Sequence, residues 1–432
     1  MSKLLSKGRL ATLGAIVSMS AIASASNASA IELDFMISDV DGKVGVLTEF
    51  VDRYKEVAPD VSIRINQVGY NVIREQLPSQ LEAGTGPDIA FVTNLGGLNQ
   101  YYVDLAPFVD ADAWEDAYGA VLAWYRVGDR DGIYAFHTEL TVTGPYVNRT
   151  MFEEAGVELP AAGATWDDWA VAAAQVQEAS GSYAGMVMDR SGHRMAGPAM
   201  SYGAAYFDGD GKLIVDDGFK TFAGKMIEWH ESGLMPPDIW PAVSGSKYAN
   251  GNELYFNEEV PFYMSGSWNI GNVQDNVGDK FDWAVVPVPC GPAGCGVMPG
   301  GAGMVAFDQG QSAEEQEAAA RFVAWMADES QAREWYGKTF AIPAHSKLQA
   351  EGVDYTEFGG DPKVSEGLNT FAAGAAAASE QTPQAYQLQG SQFGFVMYNA
   401  TVEFLAQVMN GDMSLDEAFQ RMEADIADKT AG

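Results

Sequence analysis

The chain has 432 residues, ample for two domains with complete cores, and carries 25 basic against 59 acidic side chains, a net charge of −34. A potential of that sign repels nucleic acid and anionic lipid surfaces and leaves no basic stripe to hold phosphates, which argues against polyanion binding. Beyond the N-terminal segment no window offers the roughly 18 consecutive apolar residues of a membrane-crossing helix, and the acidity itself serves to keep an abundant exported protein soluble.

The first thirty residues read as a secretory signal peptide. Lys3, Lys7 and Arg9 form a basic start, Leu10 to Ala23 is apolar, and Ala28-Ser29-Ala30 is a small-residue cleavage site. The mature chain is then expected to begin at Ile31, with no lipid-bearing cysteine behind the cleavage point. Ile31, Leu33, Phe35 and Ile37 alternate as a strand with one buried face should. Val44, Leu47, Phe50, Val51 and Tyr54 follow at helical spacing, Pro59 ends that helix, and Val61, Ile63 and Ile65 alternate again. A strand–helix–strand unit implies parallel pairing and an α/β sheet. A third unit runs through a helix from Val72 to Leu81, a Gly-Thr-Gly-Pro turn, and the strand Asp88 to Val92. Ligands of open α/β sheets collect beyond the carboxyl ends of strands. That rule points to the loops at Ser38 to Asp41 and Thr93-Asn94, with Asp39 and Asn94 as candidate ligand contacts. Each has a plainer role open to it as a helix cap.

Further along, Thr165 with Asp168, Ser312 with Glu315 and Ser414 with Glu417 have the spacing of helix caps. Residues 183–188 read as a strand leading into the polar turn Asp189 to Arg194, and residues 204–217, with an Asp-Gly turn, resemble a small hairpin. Trp240 stands between Pro236-Pro237 and Pro241 and so lies outside a regular helix. Among chemical signatures, neither a phosphate-binding glycine loop nor a nucleophile elbow is present, and His137, His193, His230 and His345 are scattered without zinc-site spacing. No cofactor and no metal are expected. Cys290 and Cys295, the two cysteines, have C-x4-C spacing in an exported chain and are expected to form one structural disulfide. A ring that small constrains the unfolded chain by about 2 kcal/mol.

Several phrases carry a family resemblance. They are the run Ile133 to Gln175 with Tyr146-Val147-Asn148 before a helix ending in Ala155-Gly156, the Gly-Thr-Gly-Pro-Asp turn and strand that close on Asp104 to Phe108, the Met264-Ser-Gly-Ser-Trp268 element, the Pro-x-Pro loop, and the Gly300-Gly301 turn. Together they resemble the ABC-transporter solute-binding proteins of the carbohydrate-binding, maltodextrin-binding-like family, in the order of elements from Ile31 to about Asp428. The resemblance implies an α/β, two-lobed periplasmic-binding-protein fold of type II. Its lobes would be joined by about three crossings, near Glu139, Pro299 and Pro343. The first lobe would take residues 31–140 plus about 297–340, the second 141–296 plus about 341–432. It further implies a monomer in the periplasm that closes on a sugar and delivers it to the permease subunits of an ABC importer, with no covalent chemistry.

Sugar sites use flat aromatic rings against C–H faces and polar side chains against hydroxyls. Trp268 matches the family's stacking tryptophan, and Glu139, with Thr138, Thr141 and Thr143, stands at the first crossing. Asn94 falls where relatives often carry an aspartate, and Ala302 where they often carry a tryptophan, so that second stacking platform is missing. Gly300 and Gly301 would offer backbone N–H groups or merely permit a turn. Trp240, Arg190 and His345 complete the candidates, each with a core or surface role as the alternative. Two rival functions remain at this stage: a receptor for another solute such as a polyamine or a metal ion, with Asp39, Asp41 and Glu139 as anionic contacts for the former, and a secreted carbohydrate-active enzyme.

Overall fold

A computed structural model of the chain describes residues 30–38, 42–241, 246–377 and 382–431. Residues 1–29, nearly all of the segment read as a signal peptide, and the candidate Asp39, with Asp41, lie outside the described residues. Among those described, eight strands are present: β1 (Ile31–Ser38), β2 (Val61–Val68), β3 (Ile89–Val92), β4 (Ala135–Asn148), β5 (Met186–Met188), β6 (Phe262–Gly266), β7 (Trp283–Val285) and β8 (Pro299–Ala306). The order across the sheet is β2-β1-β3-β8-β4-β6-β5, with β7 also paired to β4.

The expected parallel unit is present. β1 pairs in parallel with β2 and β3, and the helix Lys43–Val57 buries Leu47, Phe50, Val51 and Tyr54 against it. The segment after β2 opens with a π-helical turn, Val72–Gln76, before the helix Leu77–Glu82. The caps at Thr165 and Ser312 form as reciprocal boxes, and Ser414 accepts from the Glu417 N–H. The strand expected over 183–188 is confined to its last three residues, and the hairpin after Tyr206 is reduced to one bridge, Phe207 with Leu213. There the Asp208 carboxylate accepts from the Asp210 and Lys212 N–H groups, beside two backbone bonds across the turn, Asp208 N–H to the Lys212 carbonyl and Ile214 N–H to the Tyr206 carbonyl. Cys290 and Cys295 are bonded, closing a loop in which the Gly291 and Gly294 backbones pair with each other.

Two hydrophobic clusters divide the molecule. One is built from residues between Leu33 and Phe136 and again between Met304 and Leu348, the other from residues between Val142 and Met298 and again from Tyr355 to Ile426. β4 belongs to both, and β8 joins the first through Met304, Val305 and Ala306. The first half of β4 pairs with β8 through residues 135–142, and its second half pairs with β6 and β7. One long strand thus carries the chain from one α/β lobe to the other, β8 carries it back, and a third connection passes where Leu140 bridges Ile342. This is the two-lobed, hinged architecture.

Candidate functional site

The floor between the lobes is set by an irregularity in β4. The β4–β8 register slips between His137 and Glu139, a bulge at Thr138. Two side chains of the helix Glu329–Lys338 hold it: Trp335 Nε1 donates to the Thr138 carbonyl at 2.9 Å and Tyr336 Oη to the His137 carbonyl at 2.7 Å. Successive residues of a regular strand face opposite sides, whereas a bulge re-aims one of them. Here Thr138, Glu139 and Thr141 all line one cleft. Directly behind, His137 is wholly buried against Tyr125, whose Oη lies 2.5 Å from Nδ1, and burial pulls its imidazole down to about 3.

The cleft holds about 980 Å³ of space, part of it open to solvent. Both lobes wall it. From the first come Lys43, Tyr70, Arg74 and Thr93, and from the second His193, Arg194, Tyr248, Trp268 and Tyr398. Trp268 sits in the short turn after β6, half-buried, and Arg194 lies over its ring 3.6 Å from the centroid. Gly266 makes this placement possible, because a Cβ there would stand 1.9 Å from the indole. Arg194 is held in turn by Asp189, 3.5 Å away and fully buried, whose carboxylate accepts from the Gly251 N–H, Tyr263 Oη and Ser265 Oγ. Burial pushes the Asp189 carboxyl up, and Arg194 and the three donors oppose that rise. Lys43 and Glu139 form a buried ion pair at 2.8 Å. His193 Nδ1 accepts from the Arg194 guanidinium at 2.8 Å, and burial with that neighbouring charge brings its imidazole down to about 3, so it is neutral.

The lobes touch across the cleft mouth. Arg74 of the first lobe donates to the Lys247 carbonyl (2.9 Å) and to Asn399 Oδ1 (3.0 Å), Glu75 accepts from the Lys247 N–H, and Tyr70 packs edge-on against Tyr248.

Of the residues singled out in the sequence, Trp268, Glu139 and Gly301 line this cleft. The others stand elsewhere. Asn94 is turned back on its own loop and accepts from the Gly97 N–H, leaving Thr93 to face the space. Gly300 is packed against His193 and Thr141, where a Cβ would have 3.0 Å to either side chain. Trp240 is a core residue, 1% exposed, with its indole N–H donating to the Met188 carbonyl. Arg190 is 2% exposed and is absent from the cleft lining, and its backbone bridges Ala249. His345 caps the helix Ser346–Glu351 and packs on Tyr118, within the first lobe's core. Thr143 exchanges hydrogen bonds with Met298 instead of facing the space. Lys43, Arg74, His193, Arg194 and Tyr398 were missed. The polar turn at Asp189 pointed at the right neighbourhood but the wrong arginine: the helix Gly192–Ser201 starts there and turns Arg194 inward. Nothing local marks Tyr398, more than two hundred residues later.

The comparisons agree with this geometry. The profile of the family described as "Bacterial extracellular solute-binding protein" matches residues 49–362, well over half of the chain. The arabinooligosaccharide-binding protein of Bacillus subtilis (strain 168) is 25% identical over 288 residues, a match that spans 64% of this chain and 65% of that relative's length. Among solved structures, the maltose/maltodextrin-binding domain MalE of Bdellovibrio bacteriovorus, bound to maltotriose, superposes with a TM-score of 0.75 at 12% identity, covering 93% of this chain and all of that one. An ABC substrate-binding protein of Listeria monocytogenes in complex with cycloalternan gives 0.71 at 17%, covering 93% and 99%. Matching lobes, matching hinge and a profile running from the first helix past the third crossing lead to one conclusion: the chain belongs to the bacterial extracellular solute-binding protein family.

Proposed function

We propose that this protein captures a carbohydrate between its lobes and delivers it to an ABC importer, acting as an exported monomer whose signal peptide is removed after Ala30. The observation that carries the reading is Trp268. A half-buried indole, fixed on a cleft wall by Arg194 and seated against a glycine, is a flat apolar platform of the kind a sugar's C–H face needs. Thr138, Thr141, Glu139 and Lys43 supply donors and acceptors for hydroxyls around it. The sugars named for the relatives above support the same ligand class. In operation, ligand bridging the lobes favours the closed form by its greater affinity for that form. The contacts of Arg74 and Tyr70 with the opposite lobe are those such closure would make. The closed protein then docks on the permease.

A polyamine fits less well, since among the described lining residues the cations Lys43, Arg74 and Arg194 outnumber the carboxylate Glu139. A glycosidase works with two carboxyls flanking the bond, and Glu139 is already paired with Lys43. The test is a thermal-shift screen of the purified mature chain over mono-, di- and oligosaccharides, with product analysis alongside. A ligand at 100 times its dissociation constant should add about 2.7 kcal/mol of stability, and scattering should show a smaller radius of gyration. Turnover would reassign the protein to the enzymes, and a response confined to polyamines would remove the sugar.

A further inference from the structure

The cleft is short of acceptors. Among its described lining residues, Arg74 Nε and Tyr398 Oη are buried without a hydrogen-bond partner, whereas Arg194 Nε faces the Asp189 carboxylate at 3.5 Å. The guanidinium nitrogen can only donate, and the phenol can donate. Tyr398 is 2% exposed. In a folded interior such donors are normally satisfied, so two beside one space describe a ligand that brings acceptor oxygens.

Charge narrows the choice. Lys43 pairs with Glu139, and Arg194 with Asp189. Arg74 has neutral partners: the Lys247 carbonyl, the Asn399 amide oxygen and the Phe395 ring 5.2 Å away, with no carboxylate of the described residues within 4.0 Å. Burial, with Arg194's charge adding to it, lowers the guanidinium below its ordinary value. A half-buried cation with no carboxylate in contact, and Glu75 as the nearby negative charge, is costly to desolvate, and it is conspicuous in a chain whose net charge is −34. Arg74 comes from the first lobe and Arg194 and Tyr398 from the second, so closing the cleft gathers these donors while setting two cations near each other.

We propose that the captured carbohydrate is an acidic sugar, a uronate whose carboxylate accepts from Arg74 and Tyr398 in the closed cleft. The inference rests on the carbohydrate reading above and adds its charge. A carboxylate is acceptor-only and forms short, strong bonds with guanidinium. One negative charge meets Arg74, which among the described lining cations is the one with no carboxylate within 4.0 Å. A neutral sugar would leave Arg74 uncompensated. Because the anion is held from both sides, it also offsets the repulsion between the arginines and so favours closure.

Calorimetry on the full mature chain tests this with glucuronate, galacturonate and their disaccharides, each against its neutral counterpart, with glucose 6-phosphate and inorganic phosphate as further arms. A uronate should bind at least about tenfold more tightly than its neutral counterpart, the worth of one charge-assisted contact. That preference should vanish in Arg74→Gln. A neutral sugar binding as tightly as its uronate overturns the inference and leaves the carbohydrate reading standing. Preference for the sugar phosphate or for phosphate overturns the carboxylate assignment. Binding by none of the probes overturns both. Should Arg74→Gln fail to fold, the matched pairs on the unaltered protein still decide.

Discussion

Trp240 and Trp268 make an instructive pair. Both follow irregular, proline- or glycine-bearing stretches, and both were singled out as candidate ligand contacts, Trp240 because its flanking prolines keep it out of a regular helix and Trp268 because it matches the family's stacking tryptophan. Yet Trp240 is 1% exposed in the second lobe's core, its indole N–H spent on the Met188 carbonyl, whereas Trp268 lines the cleft with Arg194 on its ring. The difference lies in what surrounds them. Trp240 is covered by the second lobe, and its polar atom is satisfied there. Trp268 stands at the end of β6, where Gly266 removes the Cβ that would evict the ring. A turn frees a side chain from the helix. Its neighbours decide whether it then meets core or solvent.

The pair can be broken by truncation. Trp240→Ala should show the largest effect, about 3–5 kcal/mol of folding stability for a buried aromatic, with ligand affinity unchanged in the folded fraction. Denaturant melts with calorimetry check this, and a stable variant that has lost affinity would move Trp240 into the site. Trp268→Ala should do the reverse. Its melting should stay close to normal while affinity falls by about 2 kcal/mol, as for a central aromatic anchor, or roughly thirtyfold in dissociation constant. A large melting loss with affinity intact would make Trp268 a core residue like its counterpart.

A smaller, graded effect separates the hinge from both tryptophans. His137 and His193 are held neutral by burial, each down to about 3, so the unfolded chain binds more protons between there and the usual value near 6.5. Their contribution is therefore fully present above about pH 6.5 and drains away as the pH falls, by up to about 1.4 kcal/mol per pH unit for each histidine. His137→Gln should flatten the fall in melting temperature between neutral and mildly acidic pH. An unchanged slope would show that His137 is not held neutral in the fold.

The helices were the most legible part. The Thr165–Asp168 and Ser312–Glu315 boxes depend on atoms three residues apart, so their spacing announces them. The β1–β2–β3 unit was legible for a related reason, since alternation and helical period are properties of short windows. The reduced strand at 186–188 and the lone Phe207–Leu213 bridge were not, because strand extent depends on a partner supplied from elsewhere in the chain. The cleft was half legible. Trp268 and Glu139 came from the resemblance, while Arg74, Arg194 and Tyr398 carry no local mark, being brought together across 324 sequence positions.

By itself, then, the sequence determined the lobes' element order, the caps and the cysteine-closed loop. Each rests on interactions among residues close in the chain or on the periodicity of a buried face. Only the tertiary structure decided which face of β4 opens to the cleft, since that needs the Thr138 bulge and the donors of Trp335 and Tyr336, from a helix nearly two hundred residues away. It likewise decided the charge in the cleft. Whether Arg74 has a carboxylate partner depends on what the opposite lobe presents to it, a contact that exists once the chain has folded and the lobes have met.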